Sequence, residues 1–204
     1  MSAVTTEQLQ STYRGRLLDA LGQSIVEVGY RDTTVADIVR RARTSRRTFY
    51  EHFAGKEECF IALLTDANTA MIQAITAAVD VGAPWMTQAR QAVEAWIACT
   101  ESQPGIVVSW IRDVPALGVD GRALQRDLMA AFVTMVETMS ESPEWRAVRP
   151  EGVPRQLTIL LLGGLRELIA TTVEEGGRAS DITEVAVQAT IALLAPPGRL
   201  QLRP

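Results

Sequence analysis

The sequence contains few of the residues that catalytic and metal sites require. Its 204 residues include a single histidine, His52, and two cysteines, Cys59 and Cys99. A zinc site needs about four ligands, mostly cysteine or histidine, and we find neither such a cluster nor a glycine-rich nucleotide loop. We therefore expect no metal, no cofactor and no enzymatic activity. Two cysteines also make no disulfide framework, which favours a reducing, cytoplasmic compartment.

Long hydrophobic runs are also missing. The N-terminal residues show no basic segment followed by an apolar run, which a secretory signal would have. The longest apolar stretch, 157–165, is followed by Arg166 and Glu167 and is too short to cross a bilayer. We therefore expect a cytoplasmic protein with no membrane partner.

The chain has only one lysine, Lys56, and its charge is unevenly distributed. The formal net charge is −4. Residues 1–56 carry nine basic and six acidic residues, a net charge of +3, whereas the remainder carries 11 basic and 18 acidic residues, a net charge of −7. A basic segment on an acidic body is typical of a nucleic-acid-binding protein with a second function. The simpler alternative is a solvated helix face that happens to be rich in arginine.

The alternating pattern of β-strands is absent as well, and the sequence predicts an all-α fold with about nine helices. Glycine and proline residues separate the apolar periodic segments. These segments are 13–28, two short helices within 33–56, then 55–79, 85–101, 106–114, 122–141, 155–175 and 181–195. A proline-rich loop is predicted at 142–154.

The pattern of residues 33–56 predicts a helix-turn-helix, which is the most informative segment of the chain. Thr33 or Thr34 can cap the first helix, and Asp37, three residues after Thr34, would complete a carboxylate version of the capping box. Four apolar residues then recur at helical spacing and define one buried face. They are Val35, Ile38, Val39 and Ala42.

The second helix of this motif has a polar, basic outer face. Ser45 is its predicted N-cap. Phe49 and Phe53 lie four residues apart and can pack back on the first helix. The residues left to point outward include Arg46, Arg47, Thr48 and Tyr50, a surface that suits the major groove of DNA.

Three runs of residues within this region resemble the DNA-binding domain of TetR-family transcriptional repressors. They are Thr-Thr-Val-Ala-Asp-Ile-Val-Arg-Arg-Ala, Ser-Arg-Arg-Thr-Phe-Tyr-Glu-His-Phe and Gly-Lys-Glu-Glu. The resemblance covers residues 11–64. The chain departs from the family pattern at Arg43-Thr44, where Gly-Val is usual, and at Arg47, which is often glycine. A left-handed conformation at Arg43 would cost about 1 kcal/mol relative to glycine.

The resemblance and the outward positions together predict the DNA-contacting residues. Arginine can bond two acceptors of guanine. We expect base edges or the adjoining phosphates to be contacted by Arg46, Arg47, Thr48 and Ser45, and phosphates to be held by Thr33, Thr34, Tyr50, His52 and Lys56. His52 is either a phosphate contact or a packed turn residue. The full predicted set is Thr33, Thr34, Arg43, Thr44, Ser45, Arg46, Arg47, Thr48, Tyr50, His52 and Lys56.

The last two helices are apolar around more than one face, which indicates burial or a partner. DNA-binding helix-turn-helix proteins usually dimerise, and the resemblance implies the same. We predict a four-helix bundle made by these helices and their copies, with burial inside one subunit as the alternative. The predicted contact residues are Leu161, Gly164, Leu165, Leu168, Val187, Ile191 and Leu194.

The middle helices carry aromatic and methionine side chains that could line an apolar ligand pocket. Such stripes are also common in plain cores, so the core interpretation stays open. Trp110 is the leading candidate for a ligand contact, because it lies on a short predicted helix between the helix-breaking residues Pro104-Gly105 and Pro115. The predicted set is Trp85, Trp96, Cys99, Trp110, Arg112, Met129, Phe132 and Met135.

Together these patterns predict a three-helix DNA-binding domain at 1–56 and a larger ligand-binding and dimerisation domain at 57–204. The expected function is a ligand-responsive repressor that binds a palindromic DNA operator as a homodimer. A small apolar or amphipathic effector, which the sequence does not identify, would release it. The alternatives are an activator with the same DNA chemistry, and a helical adaptor that binds a protein or small molecule instead of DNA.

Overall fold

The computed structural model describes residues 6–195, with side chains from Thr12 onward, and this part of the chain is all helical. It contains ten α-helices and two short 3-10 helices, so the predicted all-α fold is confirmed. The 3-10 helices are Val114–Leu117 and Ala179–Ile182. The α-helices are α1 (Thr6–Asp32), α2 (Val35–Arg41), α3 (Arg46–His52), α4 (Lys56–Ala78), α5 (Trp85–Ser102), α6 (Pro104–Arg112), α7 (Gly118–Met139), α8 (Pro143–Val148), α9 (Arg155–Glu174) and α10 (Thr183–Leu194).

Three helix boundaries correct the sequence predictions, the first being the start of α1 at Thr6 rather than at residue 13. The segment 142–154, predicted as a loop, contains the helix α8. Ser142 precedes this helix in an extended conformation, and Pro143 occupies the first helical position. Proline suits that position because its missing N–H would have no partner there. Helix α7 begins at Gly118 rather than at residue 122. Gly29, the predicted end of the first helix, instead kinks α1, which continues to Asp32; its φ of 81° is one that glycine adopts without strain.

The first of two compact units comprises the described part of Met1–Asn68 together with Gly105–Leu124. It therefore holds the helix-turn-helix, the start of α4 and most of α6. Its centre is apolar, and its largest fully buried side chains belong to α1–α4. They include Leu17, Leu21, Ile38, Phe49 and Phe60. The predicted division at residue 56 stays a prediction.

The second unit comprises Thr69–Pro104 and the described part of Gln125–Pro204. In it, two ion pairs join α10 and the 3-10 helix before it to α5. The Arg90 guanidinium donates to both carboxylate oxygens of Glu184, over 2.6 and 3.0 Å. The Arg178 Nε donates to Glu101 over 2.7 Å, and the Ser180 amide donates to the same carboxylate over 3.1 Å. These bonds hold the pKa values of Glu184 and Glu101 below their ordinary values.

Two helices are long and apolar enough to cross a membrane by length and composition alone. They are Lys56–Ala78 and Arg155–Glu174, with 28% of each apolar window buried inside the protein. Core helices of folded domains pass the same test, so these two helices are weak evidence for a membrane span.

Candidate nucleic-acid interface

Helix α2 begins with the predicted capping box. The Asp37 amide donates to the Thr34 hydroxyl over 3.2 Å, and the Thr34 amide donates to the Asp37 carboxylate over 3.1 Å. These bonds from Thr34 hold the pKa of Asp37 below its ordinary value. The helix buries Ile38 and Val39. The sequence prediction for this helix is confirmed.

The turn between α2 and α3 places Arg43 in the left-handed conformation that glycine usually takes. Its φ is 51°, the only positive φ among the described non-glycine residues. The Arg43 amide donates to the Arg40 carbonyl over 3.2 Å, and the Thr44 amide donates to the Val39 carbonyl over 3.0 Å. This pair of bonds is the Schellman pattern for ending a helix. The predicted cost of arginine at this position therefore applies.

Helix α3 presents a polar face because its apolar residues point inward. The Thr48 amide donates to the Ser45 hydroxyl over 3.0 Å, which confirms Ser45 as the N-cap. Phe49 and Phe53 are buried, with ring centroids 5.7 Å apart. Arg46, Arg47 and Tyr50 are exposed on the opposite side. The helix can therefore offer this face to another molecule.

The arginines around α3 differ in how they are held. Arg47 is 90% exposed, and its Nε donates to Glu51 one turn later over 3.1 Å. In the part of the chain that the structure describes, the side chains of Arg43 and Arg46 form no ion pair. Arg46 is therefore the arginine of α3 whose guanidinium is fully available to an incoming acceptor.

Two residues predicted to contact phosphate have other partners. Thr33 is buried, and its hydroxyl donates to the Gly29 carbonyl over 2.7 Å, so this side chain already has a partner within the protein. The Lys56 ammonium donates to the carbonyls of Tyr30 and Thr33 over 2.8 Å each and of Arg31 over 3.2 Å. Since an ammonium has three donors, all of those of Lys56 are occupied, and we reinterpret it as a brace between α1, α2 and α4.

The surroundings of Lys56 support this structural role. Its Nζ lies 4.4 Å from the centroid of the Tyr30 ring, which stacks on Phe60 at 4.0 Å. Partial burial lowers the pKa of Lys56, and nearby Asp32 and Asp113 oppose the shift. Burial likewise raises the pKa of Tyr30 to about 12.

Replacing Lys56 by methionine is expected to lower the free energy of unfolding by about 2 kcal/mol, because three carbonyls, two of them partly buried, lose a charged donor. Urea denaturation followed by circular dichroism would measure this loss. An unchanged midpoint, together with a weaker dependence of DNA binding on salt, would instead make Lys56 a phosphate contact and contradict the brace.

The remaining predicted DNA contacts lie on or next to the exposed face. Thr34 and Arg43 are exposed, whereas Thr44, Thr48 and His52 are half-buried. The His52 ring centroid lies 6.4 Å from that of Phe53, at the end of α3. The two interpretations of His52 therefore both stay open.

The predicted ligand residues are divided between the two units. Trp110 and Arg112 lie in the first unit. The other six lie in the second unit and are half-buried. They are Trp85, Trp96, Cys99, Met129, Phe132 and Met135. The Trp85 ring centroid lies 5.1 Å from that of Trp145, a buried residue whose indole N–H has no partner in the described part of the chain. Sequence analysis missed Trp145, which lies in the predicted loop.

Several predicted dimer contacts are used within their own subunit. Leu161, Leu165, Val187 and Leu194 are all buried there, and Val187 has no exposed surface. Ile191 and Leu168 are half-buried, and Gly164 is exposed. Apart from Gly164, the apolar and small residues that α9 and α10 leave exposed are not in the predicted set. These are Ile159, Leu160, Gly164, Val185, Ala189 and Ala192.

The cysteines and acidic residues indicate no metal site in the described part of the chain. Residues 6–195 contain no group of three or more histidine, cysteine, aspartate or glutamate residues that could hold a metal ion. Cys59 is fully buried, and burial raises its pKa to about 12, which leaves the thiol protonated and inert. Partial burial also raises the pKa of Cys99.

Comparisons with known proteins match both the motif and the fold. The family described as bacterial regulatory proteins, tetR family, matches residues 17–63. The HTH-type transcriptional regulator HbdR of Aromatoleum sp. (strain CIB) is 26% identical over 136 residues, which are 67% of this chain and 59% of HbdR. This chain thus matches less than two thirds of the length of HbdR.

Solved structures share the fold over nearly the whole chain. The fatty acid degradation regulator FadR of Bacillus halodurans superposes with a TM-score of 0.75 at 18% identity, covering 93% of this chain and 96% of that one. FadR of Bacillus subtilis, in complex with stearoyl-CoA, gives a TM-score of 0.73 at 14% identity, covering 87% and 97%. At these identities the likeness establishes the fold alone.

A capped helix-turn-helix with a basic outer face is the arrangement of a DNA-binding domain. The family match and the relative agree with this kind of domain. The match of residues 17–63 to the tetR family agrees with the resemblance that the sequence of this region carries.

Proposed function

We propose that the protein is a cytoplasmic repressor that binds a palindromic operator as a homodimer and releases it when a small effector binds. The observation that carries the proposal is the exposed, basic face of α3, which is fixed on a buried aromatic core. On this face Arg46 has no acidic partner among the described residues and can donate to both acceptors of a guanine. The neighbouring Arg43 and Tyr50 would contact phosphates.

A homodimer is supported by the uncovered apolar surface of α9 and α10. Leu160, Gly164 and Val185 are exposed on these helices, and a Cβ added at Gly163 or Gly164 would meet no atom within 4 Å. Open space at these glycines leaves room for the close approach of a helix from a second copy. Two such helices from each subunit would make the four-helix bundle.

The proposed effector is an amphipathic small molecule. The second unit offers half-buried Trp85, Phe132 and Met135, and apolar side chains of this kind line most ligand sites. The stearoyl-CoA in the B. subtilis FadR structure, which has the same fold, is a molecule of this class. Helix α4 belongs partly to each unit, so a change in its tilt could carry the effect of ligand binding to the helix-turn-helix.

Selection from random duplex DNA tests the proposal. We expect enrichment of a palindrome whose half-sites lie about 34–36 Å apart, or a multiple of that distance. Sites recovered without symmetry would contradict the dimeric operator. No enrichment at low salt by folded protein would instead favour the helical adaptor, provided that refolding from denaturant has first removed any bound effector.

A further inference from the structure

We propose that Arg16, on α1, is a positioning residue that fixes the turn before α3 and thereby determines DNA specificity without touching DNA. The inference rests on the proposed function, because it assumes that α3 reads an operator. Its basis is the contact between Arg16 and the turn in which Arg43 has the left-handed backbone conformation that favours glycine.

The guanidinium of Arg16 bonds the turn at two successive carbonyls. Its Nη2 donates to the carbonyl of Ala42 and, over 3.1 Å, to that of Arg43. The guanidinium also lies over the Tyr13 ring, 5.4 Å from its centroid. Arg16 is half-buried, and its guanidinium reaches the turn. These contacts tie the turn to α1.

The end of α2 needs such a donor because its last carbonyls have no partner in a helix. The Schellman bonds use the carbonyls of Val39 and Arg40, and the Ala42 amide bonds Ile38. The carbonyls of Ala42 and Arg43, which lie in the turn itself, both accept from Arg16. Arg16 therefore satisfies the carbonyls on either side of the left-handed residue and can offset part of its conformational cost.

The turn matters for specificity because Ser45, the N-cap of α3, follows it by two residues. A small displacement of the helix start would move Arg46 relative to a base edge, where bidentate bonds need close alignment. Phosphate attraction depends on charge and tolerates such displacement. Loss of the Arg16 contacts should therefore reduce specific binding while leaving non-specific binding nearly intact.

The test compares the full-length chain with Arg16→Ala and Arg16→Lys on the selected operator and on a scrambled duplex at two salt concentrations. We expect Arg16→Ala to weaken operator binding by about tenfold, with a change below about twofold on scrambled DNA and an unchanged salt slope. Arg16→Lys keeps the charge but not the forked donor, so it should recover only part of the loss. An equal loss on both duplexes with a shallower salt slope would mean a phosphate contact and overturn the proposal, as would no loss.

Arg14→Ala is the matched control, because it removes one positive charge from the same helix. The Arg14 guanidinium pairs with Asp66 over 2.8 Å instead of bonding the turn. We expect its ratio of specific to non-specific affinity to stay within about twofold of the wild type. A loss as large as that of Arg16→Ala would contradict the assigned role.

The Arg43→Gly background provides a second test that remains informative if Arg16→Ala folds poorly. Glycine adopts the left-handed conformation freely, so removal of Arg16 in this background should cost no more than about threefold in specificity. Additive losses would contradict the coupling between the two residues.

Amide exchange of Thr44 separates this inference from the proposed function, because it needs no DNA. We expect its exchange to be about tenfold faster in Arg16→Ala than in the wild type, once the bond to Val39 opens more often. If the wild type selects no operator but the exchange changes as expected, the turn is braced and only the DNA function fails. Unchanged exchange contradicts the brace itself.

Discussion

Replacing Leu160 by glutamate is expected to separate the dimer into monomers and to abolish operator binding at nanomolar protein concentrations. Leu160 is 62% exposed on α9, within the surface proposed for dimerisation. A twofold interface would bury two added carboxylates close together, which is costly without partners. We expect the dimer dissociation constant to rise by about a hundredfold or more, as measured by sedimentation equilibrium.

Val119→Glu is the matched control for this substitution. Val119 is 70% exposed at the start of α7, outside the proposed dimer surface. This variant should keep the wild-type mass and operator affinity. A wild-type protein that sediments as a monomer, or a Leu160→Glu variant that stays dimeric, would show that the uncovered face of α9 and α10 is not the interface.

Replacing Arg46 by alanine is expected to weaken operator binding by about 1–3 kcal/mol and to relax the preference at one base position of each half-site. The reason is that its guanidinium, unlike that of Arg47, has no acidic partner among the described residues and can bond a guanine at two points. Competition binding against operators changed at single positions would measure both effects.

Arg47→Ala gives the comparison for Arg46, since it removes the same charge one residue later. Its Nε is engaged by Glu51, so fewer of its donors remain for DNA and the loss should be smaller. If Arg46→Ala weakened operator and random DNA equally, Arg46 would be a phosphate contact. A larger loss of base preference in Arg47→Ala would reverse the assigned roles.

Local signals in the sequence were sufficient to predict the helix-turn-helix. The capping box of Thr34 and Asp37, the Ser45 cap and the inward placement of Phe49 and Phe53 depend on residues within four positions of each other. Short-range hydrogen bonds and helical periodicity determine such features, so spacing alone predicts them.

Contacts between distant segments could not be predicted in the same way. The Lys56 ammonium bonds the carbonyls of Tyr30 and Thr33, which lie 26 and 23 positions earlier in the chain. The Thr33 hydroxyl bonds a backbone carbonyl as well, that of Gly29. Carbonyls occur at every residue, so the sequence carries no signal for such partners. The role of Arg16 was missed for the same reason, since the carbonyls it bonds lie 26 and 27 positions further along the chain.

The apolar pattern of the last two helices has a related limit. Periodicity identifies a face that avoids water, but it does not distinguish the core of one subunit from an interface between two. Leu161 and Val187 satisfy that pattern inside their own subunit. The exposed Leu160 and Val185 became candidates for the interface only when the packing of α9 and α10 was known.

Titration of the selected operator and of a scrambled duplex at about 50 and 200 mM salt tests the central claim most directly, namely that the basic face of α3 reads DNA sequence. We expect operator binding to be at least about a thousandfold tighter than scrambled binding at the higher salt. Affinity for both duplexes should fall steeply as salt rises. Equal affinity for the two duplexes, or binding that salt does not weaken, would contradict the claim.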